Sequence, residues 1–175
     1  EAADLDASGR PSHCGVRVKK TTRPLMVAAT SGRMHQAIMN LCRNGRDAMP
    51  GGGEILITAN YMASKLTGLI DNIVSGEGDF ILISVTDTGH GMSEEVQSNI
   101  FEPFYTTKRP GEGTGLGLAT VYAVVKDHGG QISVRSEPQM GTTFSLAFPM
   151  STASATDFKS TQNTVRHTTS VGVSN

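Results

Sequence analysis

The sequence predicts an α/β sandwich, in which a mixed, mostly antiparallel sheet is covered on one face by helices. Three observations support this fold class. Short runs of alternating or continuous apolar residues recur along the chain, two longer runs have apolar residues at helical spacing, and a turn at 138–141 separates two strand-like runs. With 175 residues and 37% hydrophobic content, the chain is long enough for one domain with a proper core.

Both ends of the chain differ in composition from the middle. Residues 1–14 are predicted to be a linker, and residues 150–175, which are rich in Ser and Thr, are predicted to be a disordered tail. The folded domain is therefore predicted to span residues 15–149. Because the chain begins with linker-like residues and no initiating Met, we expect it to be a fragment of a larger protein.

Strand-like runs alternate with helical segments along the domain. Strands are predicted, in chain order, at residues 14–20, 25–29, 54–62, 80–86, 131–136 and 142–148. In the first of these, Val16 and Val18 are predicted to point inward, and in the third Ile55 and Ile57 share one side. Residues 63–79, which are irregular and contain glycine, are predicted to form a long hairpin connection.

Three helical segments are predicted, at 31–49, from Ser93 onward and at 114–128. Thr30 or Ser31 is expected to cap the first helix, and Gly129 with the next glycine is expected to end the last. The apolar stripe of the first helix consists of Met34, Ile38, Leu41, Cys42, Gly45 and Met49.

Charge and cysteine content exclude several classes of function. A net charge of −1 gives no electrostatic reason to expect a nucleic-acid partner. Cys14 and Cys42 make no metal or disulfide framework, which fits a reducing cytoplasm. No apolar run approaches the length of a membrane span and no signal peptide is visible, so we expect no membrane contact by this segment. The five histidines have no metal-like grouping, and only His90 has a suggestive context.

Three polar side chains lie on one face of the helix at 31–49. Asn40, Asn44 and Asp47 are spaced by four and then three residues. Asn has poor helix propensity, so two of them on one face require a reason. One interpretation is that they supply oxygen ligands for a Mg²⁺ ion that bridges phosphates. The alternative is an ordinary solvated polar face.

An acidic, glycine-containing turn follows the strand at 80–86. In the run DTGHGM, Asp87 can accept a hydrogen bond from an adenine amino group, and Gly89 and Gly91 let the backbone turn close to a base and sugar. The alternative is an ordinary D-x-G turn, which is common between strands.

A second glycine cluster, GEGTGLGL at 111–118, opens the last helix. Glycine amides and the positive end of a helix are suited to hold phosphates. No Gly-Lys-Ser/Thr follows, so the cluster is not a Walker motif, and a flexible loop is the alternative.

The segment between the glycine clusters is predicted to be a lid over residues 92–115. Phe101 and Phe104 are candidates to anchor it to the body, although Phe101 also fits a role in the core. Lys108 is expected to reach a terminal phosphate as a mobile point charge.

Taken together, these motifs resemble those of the catalytic, ATP-binding domain of bacterial sensor histidine kinases, within the wider family that includes gyrase, the Hsp90 chaperones and MutL. HQAIMNLCRNGRDAM is similar to the N box, DTGHGM to the first glycine box, FEPFYTTK to the F box, and GEGTGLGLA to the second glycine box. The closing segment SEPQMGTTFSLAFP is also similar, and the resemblance covers about 15–149.

The resemblance implies a role for particular residues. Asn44 would be the Mg²⁺ ligand and, with Lys108, the catalytic group, while Asp87 would read adenine with help from Thr143 through water. The whole implied nucleotide site consists of Asn40, Asn44, Asp47, Ala48, Asp87, Gly89, Gly91, Met92, Phe101, Lys108, Gly113, Thr114, Gly115, Leu116, Gly117, Leu118 and Thr143.

The chain departs from the family pattern at three places. Many relatives have Ala at Gly45, a basic residue at Asp47, and glycine where Gln139 and Met140 stand. A phosphate-contact role for Asp47 is therefore doubtful, and the closing hairpin is expected to differ.

The implied activity is transfer of the ATP γ-phosphoryl group, with Mg²⁺, to a histidine on a separate dimerisation domain. A response regulator receiver domain would be the second partner. This domain would be cytoplasmic, which is compatible with membrane anchoring of the parent protein. ATPases of the superfamily have a Glu general base where this chain has Asn40, which cannot take a proton. The alternatives are a degenerate nucleotide-sensing or docking module and an ATPase of the same superfamily.

Overall fold

The computed structural model describes residues 14–19, 30–63, 79–109 and 111–150. The predicted strand at 25–29, the linker before Cys14, the tail after Met150 and most of the predicted connection at 63–79 lie outside the described residues.

Within these ranges the chain forms five strands and three helices. The strands are β1 (Cys14–Lys19), β2 (Gly53–Met62), β3 (Phe80–Asp87), β4 (Gln131–Glu137) and β5 (Gly141–Pro149). The helices are α1 (Ser31–Asp47), α2 (Glu94–Asn99) and α3 (Gly117–Asp127). None of these helices is long and apolar enough to cross a bilayer.

The strands form one sheet in the order β1-β2-β3-β5-β4. β1 pairs with β2 in parallel, and the other three pairs are antiparallel. The predicted mixed, mostly antiparallel sheet is therefore confirmed. At one end of the sheet Asp87 lies opposite Ile55 of β2 and Thr142 of β5, so the last residue of β3 and the start of β5 share one edge.

The core lies between one face of the sheet and the helices α1 and α3. Alternate residues of the strands point into it, and α1 contributes Leu41, which belongs to the predicted apolar stripe, and Ala37, which does not. The fully buried part of this core consists of Leu41, Ile55, Val121, Val124, Val125, Leu146 and Phe148. Because Ile55, Val85 and Phe144 belong to the same cluster, the core continues up to the edge that carries Asp87.

One prediction about the sheet is wrong. Val16 and Val18 do lie in register with Ile55 and Ile57, which face the core, but each is 58% exposed. β1 is the edge strand of the sheet. Only its first residue, Cys14, packs against the core, because alternation predicts the direction of a side chain and not whether a helix covers it.

α3 begins at Gly117, three residues later than predicted. Gly115 has a φ of +66°, which is left-handed and incompatible with a helix. The predicted end is confirmed, since Gly129 has a φ of +65°. The Gly130 N–H donates to the Val125 carbonyl and the Gly129 N–H to the Lys126 carbonyl, which is a Schellman cap.

The two long helices are joined at one end by a side chain. His128, at the end of α3, accepts a hydrogen bond at Nε2 from the backbone N–H of Thr30, 3.1 Å away. Its Nδ1 lies 2.6 Å from the Val124 carbonyl oxygen, so the ring carries its proton on Nδ1. An ion pair of 2.8 Å between Arg33 and Asp127 lies beside it. These contacts fix where α1 begins relative to α3.

Candidate functional site

The site is built around Asp87, the last residue of β3. This carboxylate is only 6% exposed, and its Oδ1 accepts a 2.9 Å hydrogen bond from the N–H of Gly89. Burial raises the pKa of Asp87, although backbone hydrogen bonds at Gly89 and Thr142 and the charge of His90 act in the opposite direction. A buried acceptor at a strand end can select a ligand that offers an N–H group.

Helix α1 approaches this carboxylate closely because it has glycine at position 45. A Cβ on Gly45 would lie 3.1 Å from the Asp87 Cβ and 3.3 Å from Cδ1 of Ile55. The next turn of backbone is also in contact, since the N–H of His90 donates to the carbonyl of Ala48. A Cβ on Gly89 would be 2.7 Å from that of Ala48. A side chain at Gly89 would force a shift here, whereas a methyl group at Gly45 would make tight contacts that a few tenths of an ångström of movement could relieve.

The polar face of α1 points toward the start of α3. Nδ2 of Asn40 donates to the carbonyl oxygen of Gly117 at 3.2 Å. Asn44, half-buried, lies one turn further along the same face, and Asp47 ends the helix. The sequence-predicted amide face is thus next to both the Asp87 turn and the second glycine cluster.

Lys108 of the F-box segment reaches across to α1. Its Nζ donates to Oδ2 of Asp47 at 2.6 Å, and the two side chains are 33% and 28% exposed. Burial alone would raise the pKa of Asp47, but the hydrogen bond and charge of Lys108, with those of Arg46, hold it below its usual value. In this structure the lysine is paired with a carboxylate, whereas the sequence predicted a terminal phosphate as its partner.

The second glycine cluster is folded against the F-box segment. A Cβ on Gly113 would lie 3.1 Å from Cδ of Lys108, so the glycine leaves room for the lysine stem. A Cβ on Gly115 would lie 2.3 Å from the carbonyl carbon of Phe104. The hydroxyl of Thr114 accepts from the N–H of Leu116 at 3.3 Å. A movement of the second glycine cluster therefore requires either that the F-box segment moves with it or that the contacts between them break first.

The predicted lid is held to the body by the side chain of one of the two phenylalanines that were expected to anchor it. Phe101 is half-buried, and its ring centroid is 5.5 Å from that of Tyr122 on α3. Phe104, in contrast, is 74% exposed with a φ of +70°, and it is held through its backbone N–H, which donates to the carbonyl of Gly115. Of the two phenylalanines, Phe101 anchors the segment with its side chain and Phe104 does not.

Two further predicted site residues, Met92 and Leu118, pack against the core cluster. The N–H of Met92 donates to Oγ of Ser136 at 2.9 Å, and its carbonyl accepts from Gln97. Gly91, with a φ of +65°, lies so close to β4 that a Cβ would be 1.9 Å from the Glu137 carbonyl oxygen. These residues therefore contribute to the site mainly through their packing against the core and β4.

Thr143 is not brought to Asp87. Its hydroxyl lies 3.0 Å from that of Thr86, on the face of the sheet away from the helices. Thr142 is the residue opposite Asp87, and it is 6% exposed. The sequence prediction named the wrong one of two adjacent threonines, because only the register of β3 with β5 distinguishes them.

Two residues that the sequence analysis did not single out complete this edge. Ser136 of β4 donates to the carbonyl of Gly141 and lies 3.0 Å from the hydroxyl of Thr142. Gln97 of α2 donates to the carbonyl of Ser136 at 2.9 Å. A small polar residue on the inward face of a predicted strand is the one sequence signal that could have indicated Ser136.

The donor set on α1 fits a magnesium ion. Asn44 offers an amide oxygen, which is a hard ligand that Mg²⁺ accepts, whereas the Asp47 carboxylate is paired with Lys108. Mg²⁺ usually takes one or two protein ligands together with phosphate oxygens and water. In the described part of the chain no cluster of three His, Cys, Asp or Glu residues is present.

Comparison with known proteins places this site in a family. A family model described as histidine kinase-, DNA gyrase B-, and HSP90-like ATPase matches residues 29–152. The sensor kinase CckA of Brucella abortus (strain 2308) is 42% identical over 123 residues, which are 70% of this chain and 13% of the relative. The sensor histidine kinase ZraS of Escherichia coli (strain K12) is 39% identical over 124 residues, which are 71% of this chain and 23% of the relative.

Solved structures give the same result. Full-length ShkA in complex with AMPPNP aligns with a TM-score of 0.63 and 27% identity, over 81% of this chain and 27% of that one. The nucleotide-free catalytic domain of the histidine kinase ThkA aligns with a TM-score of 0.61 and 28% identity, over 79% and 80% of the two chains. This chain spans only 13% of CckA and 23% of ZraS. It belongs to the histidine kinase-, DNA gyrase B- and HSP90-like ATPase family, as a catalytic domain of the sensor histidine kinase type.

Proposed function

We propose that this chain binds ATP with Mg²⁺ and transfers the γ-phosphoryl group to a histidine on a separate dimerisation domain. The observation that carries the proposal is the contact between α1 and the end of β3. Through Gly45, it brings the buried carboxylate of Asp87 beside the amide face that carries Asn44. One pocket then offers an acceptor for a base and oxygen ligands for a metal–phosphate group.

At the base end, Asp87 accepts a hydrogen bond from the adenine amino group. We assign the second interaction, through water, to Thr142, because that residue lies opposite Asp87 in the sheet. Gly89 and Gly91 keep the backbone close to the base, and Ala48 and Met92 form the adjoining wall.

At the phosphate end, the backbone from Gly113 to Leu118 and the start of α3 face the phosphates. Asn44 would hold Mg²⁺, which when bound would offset charge on the phosphate oxygens. Lys108 stabilises the charge on the terminal phosphate. Asn40 fixes the start of α3 through its bond to Gly117. Helix α1 sets the relative orientation of these groups and the distances between them.

The reaction needs little proton transfer by this domain. A neutral imidazole attacks the γ-phosphorus, an N–P bond forms, the bond from that phosphorus to the β–γ bridging oxygen breaks, and ADP leaves. Asn40 cannot take a proton from water, which supports phosphoryl transfer to histidine over ATP hydrolysis. Catalysis would then rest on positioning and on charge stabilisation.

The same proposal covers the organisation and partners of the protein. Residues 15–149 would be the catalytic domain, together with Cys14, which is the first residue of β1, and Met150, whose N–H donates to the Asp79 carbonyl. The histidine-bearing dimerisation domain and a response regulator receiver domain would be its partners, in the cytoplasm, with no nucleic acid and no membrane contact by this segment. The similarity to proteins named sensor kinases supports these assignments.

The test is a two-step assay on the purified chain. Calorimetric titration with MgATP should show binding by wild type and a loss in Asp87→Asn, whereas Asp127→Asn, the same change at a remote exposed site, should bind normally. Adding a histidine dimerisation domain from a matched relative with γ-labelled ATP should then produce labelled histidine. The chain alone should gain no stable phosphate.

Three results would contradict the proposed function. Failure of the wild type to bind nucleotide indicates a degenerate docking module. Binding without transfer to the acceptor domain indicates a nucleotide sensor. Steady release of inorganic phosphate without an acceptor, abolished in Asp87→Asn, indicates an ATPase of the same superfamily.

A further inference from the structure

The ion pair between Lys108 and Asp47 joins two parts of the site that are 61 residues apart in sequence. Asp47 is the last residue of α1, one turn beyond Asn44. Lys108 belongs to the segment between the two glycine clusters. At 2.6 Å the pair has the length of a strong charge-assisted hydrogen bond, and both side chains are about two-thirds buried.

The surroundings hold Lys108 in this position. Gly113 passes directly beneath the lysine, where a Cβ would be 3.1 Å from Cδ and 3.5 Å from Cβ of Lys108. The backbone N–H of Lys108 donates to Oγ1 of Thr106 at 3.2 Å. The same carboxylate has a second partner, since Nη2 of Arg46 lies 3.3 Å from Oδ1 of Asp47.

These charges explain how the lysine could be released. A terminal phosphate carries more negative charge than one carboxylate, and it offers three oxygens to an ammonium group. If Lys108 leaves, Asp47 keeps Arg46 as a counter-ion on its other oxygen. No unpaired buried charge would result, so the exchange avoids the large cost of a broken buried pair.

We propose that Asp47 is a positioning residue that holds Lys108 when no nucleotide is bound, and that the terminal phosphate of ATP takes the lysine from it. This inference rests on the proposed function. In this mechanism Asp47 competes with the γ-phosphate and does not bind it. The F-box segment is tied to α1 in the empty state and becomes tied to the nucleotide in the loaded state. ADP, which has no γ-phosphate, leaves the original pair in place.

The competition predicts an unusual direction of effect. Asp47→Asn should tighten MgATP binding by roughly two- to fivefold, the size expected for one partly exposed ion pair, while MgADP affinity stays within about twofold. Lys108→Met should weaken MgATP and leave MgADP nearly unchanged. In the Lys108→Met background, Asp47→Asn should have no further effect on MgATP affinity, because in this mechanism Asp47 acts on ATP binding only through Lys108.

The matched control is Asp127→Asn. It removes an exposed Asp–Arg pair of similar length at the far end of the helices, where Arg33 is the partner. It should change neither affinity. Amide hydrogen exchange of residues 101–116 without nucleotide gives a second readout, and it should be faster in Asp47→Asn and Lys108→Met than in wild type and in the control.

The outcomes separate this inference from the function on which it rests. A wild type that binds no MgATP overturns the proposed function and with it the exchange. Normal MgATP binding with weaker binding in Asp47→Asn, in both lysine backgrounds, shows that Asp47 acts directly on the metal or phosphates and overturns the competition. Unchanged ATP affinity together with unchanged exchange in Asp47→Asn overturns it as well.

Discussion

Thr142 lies directly opposite Asp87 in the β3–β5 register, whereas the adjacent Thr143 lies opposite Thr86 on the other face of the sheet. The hydroxyl of Thr142 is held by Ser136 at 3.0 Å, and that of Thr143 by Thr86 at the same distance. The two threonines are thus similar in their local bonding and differ in the face that they present. That difference makes them a matched pair for testing which one assists in adenine binding.

Thr142→Val should lower the affinity for MgATP by about fivefold, which corresponds to the loss of one neutral hydrogen bond. Thr143→Val should leave the affinity within about twofold. Both variants lose one hydroxyl pair within the sheet, so their losses in unfolding free energy should be similar, about 1 kcal/mol each. Titration calorimetry and urea unfolding measure the two quantities. A larger affinity loss in Thr143→Val would contradict the placement.

A substitution at Asp87 is expected to change the affinity for nucleotide without unfolding the domain. Asp87→Asn should reduce MgATP affinity by about 10- to 100-fold, because a hydrogen bond to a charged acceptor is lost. Its amide oxygen can still accept the N–H of Gly89, so the turn should survive, while the hydrogen bond from the backbone of Thr142 is the one expected to be lost. We therefore expect a folded variant that binds nucleotide poorly, as measured by calorimetry together with thermal unfolding.

The pH dependence of this variant follows from burial. The folded-state pKa of Asp87 lies above its unfolded value, so ionising it costs stability. That cost is absent below the usual Asp pKa of about 4 and fully present above the raised pKa. Asp87→Asn should be at least as stable as wild type at pH 7, and any advantage should disappear as the pH falls below about 4. A variant clearly less stable at pH 7 would show that the amide leaves a buried group unsatisfied.

Local patterns were sufficient for most elements of the fold. β2, β3, β4 and β5 begin or end within a residue or two of the predictions, because alternation and turn residues are properties of adjacent positions. α1 is similarly defined by its stripe and by Pro50. The strand order was not predictable in this way, because it depends on which strands pair.

The parts of the site that were missed depend on contacts between distant segments. The choice between Thr142 and Thr143 requires an inter-strand register. The pairing of Lys108 with Asp47 requires the path of the whole F-box segment. The sequence analysis placed Gly45 in the apolar stripe of α1, and only the structure shows that it lets the helix lie close to Asp87. Motif spacing found the residues of the site but not their partners.

The ion pair between Asp47 and Lys108 predicts a second pH effect, with the opposite sign. The folded-state pKa of Asp47 is lowered, so its pairing contributes stability that is present above the unfolded pKa of about 4 and is lost as the pH falls through the folded value. At pH 7, Asp47→Asn should be less stable than wild type by about 0.2–1 kcal/mol, the range for partly exposed pairs.

Urea unfolding of wild type and Asp47→Asn across pH 2–7 checks this effect. The difference should shrink toward zero at the acid end, and high salt at pH 7 should reduce it because the pair is screened. Asp127→Asn provides the comparison for a fully surface pair. A stability difference that persists at pH 2 would mean that the substitution acts through packing and not through charge.

The two glycines at the start of α3 give a test of the phosphate cradle. Gly115 is left-handed and its added Cβ would be 2.3 Å from the Phe104 backbone, so Gly115→Ala should destabilise the domain by more than about 1–2 kcal/mol. Gly117 is the first residue of the helix and has nothing within 4 Å of an added Cβ. Gly117→Ala should leave stability unchanged or raise it by up to about 1 kcal/mol.

Gly117→Ala should be tolerated by the folded protein but should weaken the binding of nucleotide. The space beside Gly117 is open in the protein, and the proposed site places phosphates against this stretch of backbone. A methyl group there should weaken MgATP by tenfold or more and weaken adenosine much less, because adenosine has no phosphates to exclude. Thermal unfolding first establishes that Gly117→Ala is folded, and calorimetry with the two ligands then gives the affinities. Equal losses for adenosine and MgATP would place the methyl group against the base, and unchanged MgATP affinity would place the phosphates away from the start of α3.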